Sequence, residues 1–196
     1  MLRRRLDKHG RMALHTAWPC TEGLDSVPVV FASRHGDLNR TLNLLTTLAQ
    51  NERLSPADFS LSVHNSSVGL LSIARRDRAS ATALAAGADT LNMGLLEGVG
   101  QLAAGAEQVL LCYVDDSVPE IFATYLAEEP ARLPFSVSIL LTQASGAPSQ
   151  CQLVRHDGAS DEAPEAALMH FLLEDRTSSV IGVNQPWRLE RRVHAG

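Results

Sequence analysis

The sequence predicts an α/β fold, and three observations predict it. Segments with helical spacing alternate with short apolar runs through the first two thirds of the chain. Two of those runs, Val29-Val30-Phe31-Ala32 and Val109-Leu110-Leu111-Cys112-Tyr113, are apolar without alternation, the pattern of strands buried on both faces. With 196 residues, 45% of them hydrophobic and 20% charged, the chain can bury a real core.

Taken in order, Leu2, Leu6, His9, Ala13 and Ala17 fall at helical spacing, which predicts a helix over 2–17, weakened by Gly10 and stopped at Pro19. Pro28 to Ala32 reads as a strand. Gly36-Asp37 starts a second helix with Leu38, Leu42, Leu45 and Leu48 as its buried stripe, followed by Ser55-Pro56. Phe59 to Val63 alternates and reads as extended, and Val68 to Arg75 suits a short helix. Ala79 to Ala86 is too rich in alanine to be a strand on propensity alone. Asp89 can cap a helix running to Ala104, with Leu91, Leu95, Val99 and Leu102 on one face. Its three interior glycines, Gly94, Gly98 and Gly100, predict that another backbone packs close against it.

Gln108 to Tyr113 is a buried strand, and 116–133 reads as irregular. Phe135–Leu141 and Cys151–Arg155 read as a hairpin across Ser145-Gly146-Ala147-Pro148. Pro164 opens a last helix with Leu168, Phe171 and Leu172 buried. Residues 177–196 form a C-terminal tail in which Val180-Ile181-Gly182-Val183 is a candidate edge strand.

A net charge of −5 gives no support to nucleic-acid binding. Both ends are basic, with Arg3, Arg4, Arg5, Lys8 and Arg11 at the first. Such a run is either a solvated helix face or a patch that steers an acidic protein. No apolar run reaches the ~18 residues that cross a bilayer, so no membrane insertion is expected. No apolar stretch follows the basic N-terminus as a secretory signal would. The three cysteines, Cys20, Cys112 and Cys151, are scattered, without metal-ligand spacing. A cytoplasmic location and no metal are the expectations.

Four stretches, in order and at matching spacing, resemble β-ketoacyl synthases. Leu2-Arg3-Arg4-Arg5-Leu6-Asp7-Lys8 resembles the basic helix near the start of those enzymes. Val29-Val30-Phe31-Ala32-Ser33, with Gly36 after it, resembles the strand and glycine turn that follow. Leu54-Ser55-Pro56 with Asn65, Gly69, Ser72 and Ile73 is similar to the family's S-P-F-F-x₇-N-M-x-A-G-x-x-S-I. Ala104-Gly105-Ala106-Glu107-Gln108-Val109-Leu110-Leu111 is similar to G-x-A-D-x-x-L-A-G-G. The resemblance is strongest over residues 1–115, within a single half domain spanning 1–196.

The runs Phe59–Asn65, Gly69–Arg75 and Ala81–Gly87 resemble a subgroup of short, N-terminal-only members, similar to chain-length factors of aryl polyene and related polyketide or fatty-acid gene sets. The resemblance implies a thiolase-like fold, the N-terminal half of a β-ketoacyl synthase, layered αβα around a mixed sheet. Family members begin with a strand ahead of the basic helix, whereas this sequence begins at the helix. Either the start is misassigned or the chain is shortened, and a missing core strand would leave an exposed position in the sheet.

Condensing enzymes of this family hold a cysteine thiolate where a strand tip meets a helix N-terminus, which stabilises the anion. Ungapped alignment between the Asn65/Gly69 and Gly105/Val109 anchors puts Ala88 at that position, and matching Thr82-Ala83 to the family's T-A-C puts Leu84 there. Neither side chain is a nucleophile. No cysteine of this chain precedes a helix, and the family's two catalytic histidines belong to a second half that 196 residues cannot contain.

The resemblance therefore implies a non-catalytic subunit that needs no cofactor and pairs with an active β-ketoacyl synthase. It would shape that enzyme's acyl tunnel and meet acyl carrier protein through Arg3, Arg4, Arg5, Lys8 and Arg11. The same resemblance puts Ala79, Ser80, Ala81, Thr82, Ala83, Leu84, Ala85 and Ala86 at the subunit contact, and Phe59, Leu61, His64 and Asn65 toward the partner. Phe59 and Leu61 are otherwise ordinary core residues, and His64 a hydrogen-bonded loop histidine. Two further readings stand beside this one: an independent thioesterase or decarboxylase on a half fold, and a truncated product without function.

Overall fold

In the computed structural model, residues 6–126, 133–143, 149–158 and 160–193 are described. Its main sheet has the order β2-β1-β3-β4, built from β1 (Val29–Ala32), β2 (Ala81–Leu84), β3 (Gln108–Asp115) and β4 (Phe135–Thr142). The first three strands are parallel and β4 is antiparallel to β3, so the sheet is mixed as expected. Between β1 and β3 the pairing is direct, Val29 opposite Leu110 and Ala32 opposite Tyr113. The expected exposed position in the sheet is therefore not present between these strands.

Because β1 and β3 are apolar on both sides, helices cover both faces. Helices α1 (Lys8–Cys20) and α4 (Ser66–Arg75) pack Ala13, Ala17, Val68 and Leu71 against Val29, Phe31, Leu110, Cys112 and Val114. On the other face, α5 (Thr90–Ala103) and α6 (Pro164–Leu173) pack Leu91, Leu95, Leu168 and Phe171 against Val30, Ala32, Val109, Leu111 and Tyr113. This is the αβα layering that the resemblance implied. Beyond it lies an antiparallel sheet of order β5-β7-β6: β5 (Ser149–Arg155), β6 (Ser178–Ile181) and β7 (Trp187–Val193). Its Ile181 and Leu189 join the α5 core.

Several elements differ from the sequence expectation, each for a local reason. Helix α1 starts at Lys8, because the Asp7 carboxylate accepts from the Gly10 N–H at 2.8 Å. It runs through Pro19, which removes the bond residue 19 would donate to the His15 carbonyl, and it ends one residue later. Phe59 lies in a helix, α3 (Pro56–Leu61), and not in an extended run: Ser55 caps it, proline stands at its first turn, and Asp58 faces its N-terminus. Ala81–Leu84 is a strand after all, its propensity overridden by pairing with β1.

Phe135–Leu141 and Cys151–Arg155 form no hairpin. Strand β4 is needed between two helical layers, Thr16 of α1 meeting Ser136 and Ser138 on one side and Leu141 joining the α5 core on the other. The partner of β5 is β7, so the tail is part of a sheet. The turn expected at 145–148 lies outside the described residues. Leu172 is exposed, while Leu168 and Phe171 are buried as expected.

Gly94 lies where an added Cβ would come within 3.0 Å of the Ala32 Cβ and Leu111 Cδ1, and one at Gly98 within 2.5 Å of Leu141 Cδ1. The close neighbours are thus side chains of the sheet, not backbone, and Gly100 faces open space.

Asp77 ties the 21–27 loop to the end of α4 and the start of β2. Its carboxylate accepts from the Ser26 hydroxyl at 2.7 Å, the Ala79 N–H at 2.9 Å and the Val27 N–H at 3.0 Å. Burial pushes its pKa up, but these three donors and the nearby Arg75 guanidinium outweigh that and hold it below the ordinary value of 3.8. A carboxyl depressed in the folded state stabilises the protein above its unfolded pKa and loses that stabilisation as pH falls through the folded value. Asp77→Asn is therefore expected to lower the urea midpoint near neutral pH and to flatten the loss that sets in as pH falls below about 4, the unfolded value. An acid limb as steep as that of the wild type would show that Asp77 does not carry it.

Candidate functional site

The three parallel strands end at one edge of the sheet, and the candidate site is built there. Strand β2 ends at Leu84, a tight turn follows at Gly87–Asp89, and α5 begins at Thr90. This is a strand–turn–helix elbow. Gly87 takes a φ of +59°, which its lack of Cβ permits. Ala88 is the half-buried middle residue of the turn, whereas Leu84 belongs to the strand and packs against the α5 core.

The Thr90 hydroxyl closes the elbow, donating to Gly87 O at 2.7 Å and accepting from the Ala86 N–H at 3.0 Å. Asp89 does not cap α5, as the sequence had led one to expect. Its buried carboxylate instead accepts from the Val183 N–H at 2.6 Å and the Asn184 N–H at 3.1 Å. The β6–β7 turn is thereby fastened to the start of α5, and the Asn92 side chain adds a second tie to Gln185 O at 2.7 Å.

Strand β1 leads into a turn held from several sides. The Ser33 N–H donates to Leu84 O at 3.2 Å, and Ser33 O accepts from His64 Nε2 at 2.7 Å. The Ser33 hydroxyl accepts from the Gly36 N–H at 3.0 Å and gives its one proton to Asp115 at 3.1 Å. Facing an oxygen whose proton is committed, His9 Nε2, 3.2 Å away, acts as the donor. Burial lowers the His9 pKa against the pull of Asp7, Asp115 and Asp116, which keeps the ring neutral. His9 and His64 stand edge-on to Phe31 from two sides, at 6.1 and 5.9 Å between centroids.

This cluster holds serine, histidine and aspartate but not in catalytic order. The serine lies between the other two, and it is fully buried. It is a packing device for the turn. Sequence reasoning missed its assembly, because His9, Ser33 and Asp115 come from three separate segments.

The remaining expected residues scatter around the elbow. Ala81 and Ala83 of β2 are exposed, and among the described residues no strand pairs with the open edge of β2. Ser80 O accepts from the Val29 N–H at 3.0 Å, and the Ala79 N–H serves Asp77. Ala85 and Ala86 are exposed beside the turn. Phe59 is 60% exposed, Leu61 half-buried, and Asn65 exposed at the start of α4. Lys8 pairs with Asp116, and Arg11 is tied to Leu6 O at 2.9 Å; Arg3, Arg4 and Arg5 lie outside the described residues.

The cysteines stand away from the elbow. Cys112 is buried in β3, and burial pushes its thiol up to about 11. Cys20 ends α1, with its pKa raised by burial, and Cys151 is exposed in β5. Among the described residues no group of three or more His, Cys, Asp or Glu could hold a metal ion, and no helix is long and apolar enough to cross a membrane.

Known proteins share this fold. A chain of the Xenorhabdus doucetiae complex of the ketosynthase ApeO with its chain length factor ApeC is 30% identical. It superposes with a TM-score of 0.82 over 96% of this chain and 79% of that one. A chain of the ishigamide ketosynthase/chain length factor is 17% identical with a TM-score of 0.63, over 86% of this chain and 55% of that one, a likeness of fold alone. No curated protein matches the sequence significantly. The profile of the β-ketoacyl synthase N-terminal domain matches residues 1–188, and the chain belongs to that family.

Proposed function

We propose that this chain is a non-catalytic, chain-length-factor-type subunit. It pairs with an active β-ketoacyl synthase and shapes the acyl tunnel of the pair, in aryl polyene, polyketide or fatty-acid biosynthesis. The observation that carries the reading is a fully built elbow with Ala88 in its turn: the frame of a condensing enzyme without the nucleophile. A solved relative with 30% identity comes from a complex of a ketosynthase with its chain length factor, which supports a ketosynthase as the partner.

The open edge of β2, with its small exposed alanines, suits close approach of a second backbone, so Ala79 to Ala86 form the contact in this reading. Phe59, Leu61, His64 and Asn65 lie toward the partner's tunnel. Acyl carrier protein docks through the basic N-terminal residues, of which Arg11 is exposed on α1.

The test is co-expression of this chain, alone carrying a tag, with a full-length β-ketoacyl synthase, followed by size-exclusion chromatography and product analysis. A stable one-to-one complex whose products differ in length from those of the synthase alone is expected. A monomer that ignores the synthase, or products of unchanged length, would overturn the reading.

A further inference from the structure

Asp89 is a buried anion held by backbone. It is 5% exposed, yet among the described residues it forms no ion pair. Its Oδ1 accepts from the Val183 N–H at 2.6 Å and from the Asn184 N–H at 3.1 Å, and its Oδ2 accepts from the Asn184 N–H at 3.1 Å. A carboxylate taken out of water needs donors to hold its charge, and these two amides supply them.

The pair is shaped for that task. Gly182, just before it, takes a φ of +114°, a backbone that side chains disfavour. A Cβ there would lie 2.7 Å from Asn92 Nδ2 and 3.0 Å from Gln185 O. Asn92 is fully buried, and its donation to Gln185 O at 2.7 Å fixes the far side of the turn. Two successive N–H groups aimed at one carboxylate form an anion-binding concavity. The start of α5, next in the chain, adds its positive end.

We infer that the Val183 and Asn184 amides form an anion cradle, of the class that takes a small carboxylate or an acyl oxyanion, and that Asp89 is its tethered ligand. The inference deepens the non-catalytic reading proposed above. Ala88 leaves the elbow turn without a nucleophile, and Asp89, the next residue, spends the donors beside it. Tethering gives this carboxylate an effective concentration that a free ligand does not match. The cradle is therefore closed to outside anions in the native chain, and replacing Ala88 alone would not reopen it.

The experiment empties the cradle in the full chain. Wild type and Asp89→Ala are compared in sodium chloride and in sodium formate at equal ionic strength, by amide hydrogen exchange at 183 and 184 and by thermal unfolding. In Asp89→Ala, formate at about four times its dissociation constant should slow exchange at both amides about fivefold and raise the unfolding midpoint. Wild type should respond to formate no more than to chloride. Folding of Asp89→Ala in formate alone also supports the inference. Equal responses in both proteins, or none in a folded Asp89→Ala, overturn it. If Asp89→Ala folds in neither salt, Asp89→Asn decides. Exchange at the two amides about fivefold or more above wild type is then expected. Exchange equal to wild type would mean that a neutral acceptor serves as well, which overturns the inference. The pairing is read separately, by co-expression with the synthase, so either result can fail without the other.

Discussion

Replacing Arg40 of helix α2 (Leu38–Ala49) with alanine is expected to cost about 1–3 kcal/mol, the loss of a half-buried guanidinium that reaches Asp7 and Asp37 at 3.0 Å and Asp58 at 3.3 Å. One guanidinium serves three carboxylates, and two of them have a second duty as helix caps. Asp7 holds the Gly10 N–H of α1 and Asp37 the Arg40 N–H of α2, at 2.8 and 3.0 Å. Without Arg40 the carboxylates would repel one another, and the least exposed of them, Asp37, would be left without its neutralising partner. Asp58 is more than half exposed and contributes little, so Asp58→Ala should cost less than about 1 kcal/mol. Arg40→Lys should recover only part of the loss, because an ammonium cannot span three acceptors as a planar fork does. Urea unfolding of the three variants checks this. An Arg40→Ala change no larger than that of Asp58→Ala would mean the carboxylates are independently solvated.

Asp89→Ala is expected to cost about 2–4 kcal/mol, because it strands the Val183 and Asn184 amides that its carboxylate holds. The charge also assists those bonds, and it sits at the start of α5, where the helix dipole favours an anion. Asp89→Asn keeps one acceptor oxygen and should cost roughly half as much. The sharper readout is local: amide hydrogen exchange at 183 and 184 should accelerate strongly in Asp89→Ala, while the β1–β3 pairing keeps its protection. Unchanged exchange at those two amides would show that the turn is held by Asn92 and packing alone.

The sheet was legible in the sequence wherever burial and periodicity agree. Strands β1 and β3 are apolar on both faces, and nothing but a central strand fits them. Strand β2 was not legible as a strand, since its alanines carry no propensity signal and its existence depends on pairing with Val29–Ala32. The helix at Pro56 was hidden by a misleading alternation, although Ser55-Pro56 with Asp58 is a helix-start signal that outweighs it. The β5–β7 pairing spans distant segments, and no local pattern announces it.

The family motifs put Ala88, or with a gap Leu84, at the cysteine position; Ala88 lies in the turn between β2 and α5, and Leu84 ends β2. Asp89 was read as a cap because it precedes a helix. Its real partners, at 183 and 184, are remote in sequence and could not be inferred from spacing. The leucine stripe on α2 was expected to be buried, whereas Leu38 and Leu42 are half-buried and Leu45 and Leu48 exposed, because periodicity says which residues share a face and nothing about what that face meets.

The bond between Asp89 and Val183 closes a span of 94 residues. The β1–β3 pairing, Val29 to Leu110, closes a span almost as long, so loop entropy sets neither contact ahead of the other. The elbow instead leans on a remote segment: loss of the β6–β7 turn would withdraw the support of the turn at Ala88, while the pairing of β2 with β1 keeps its own hydrogen bonds.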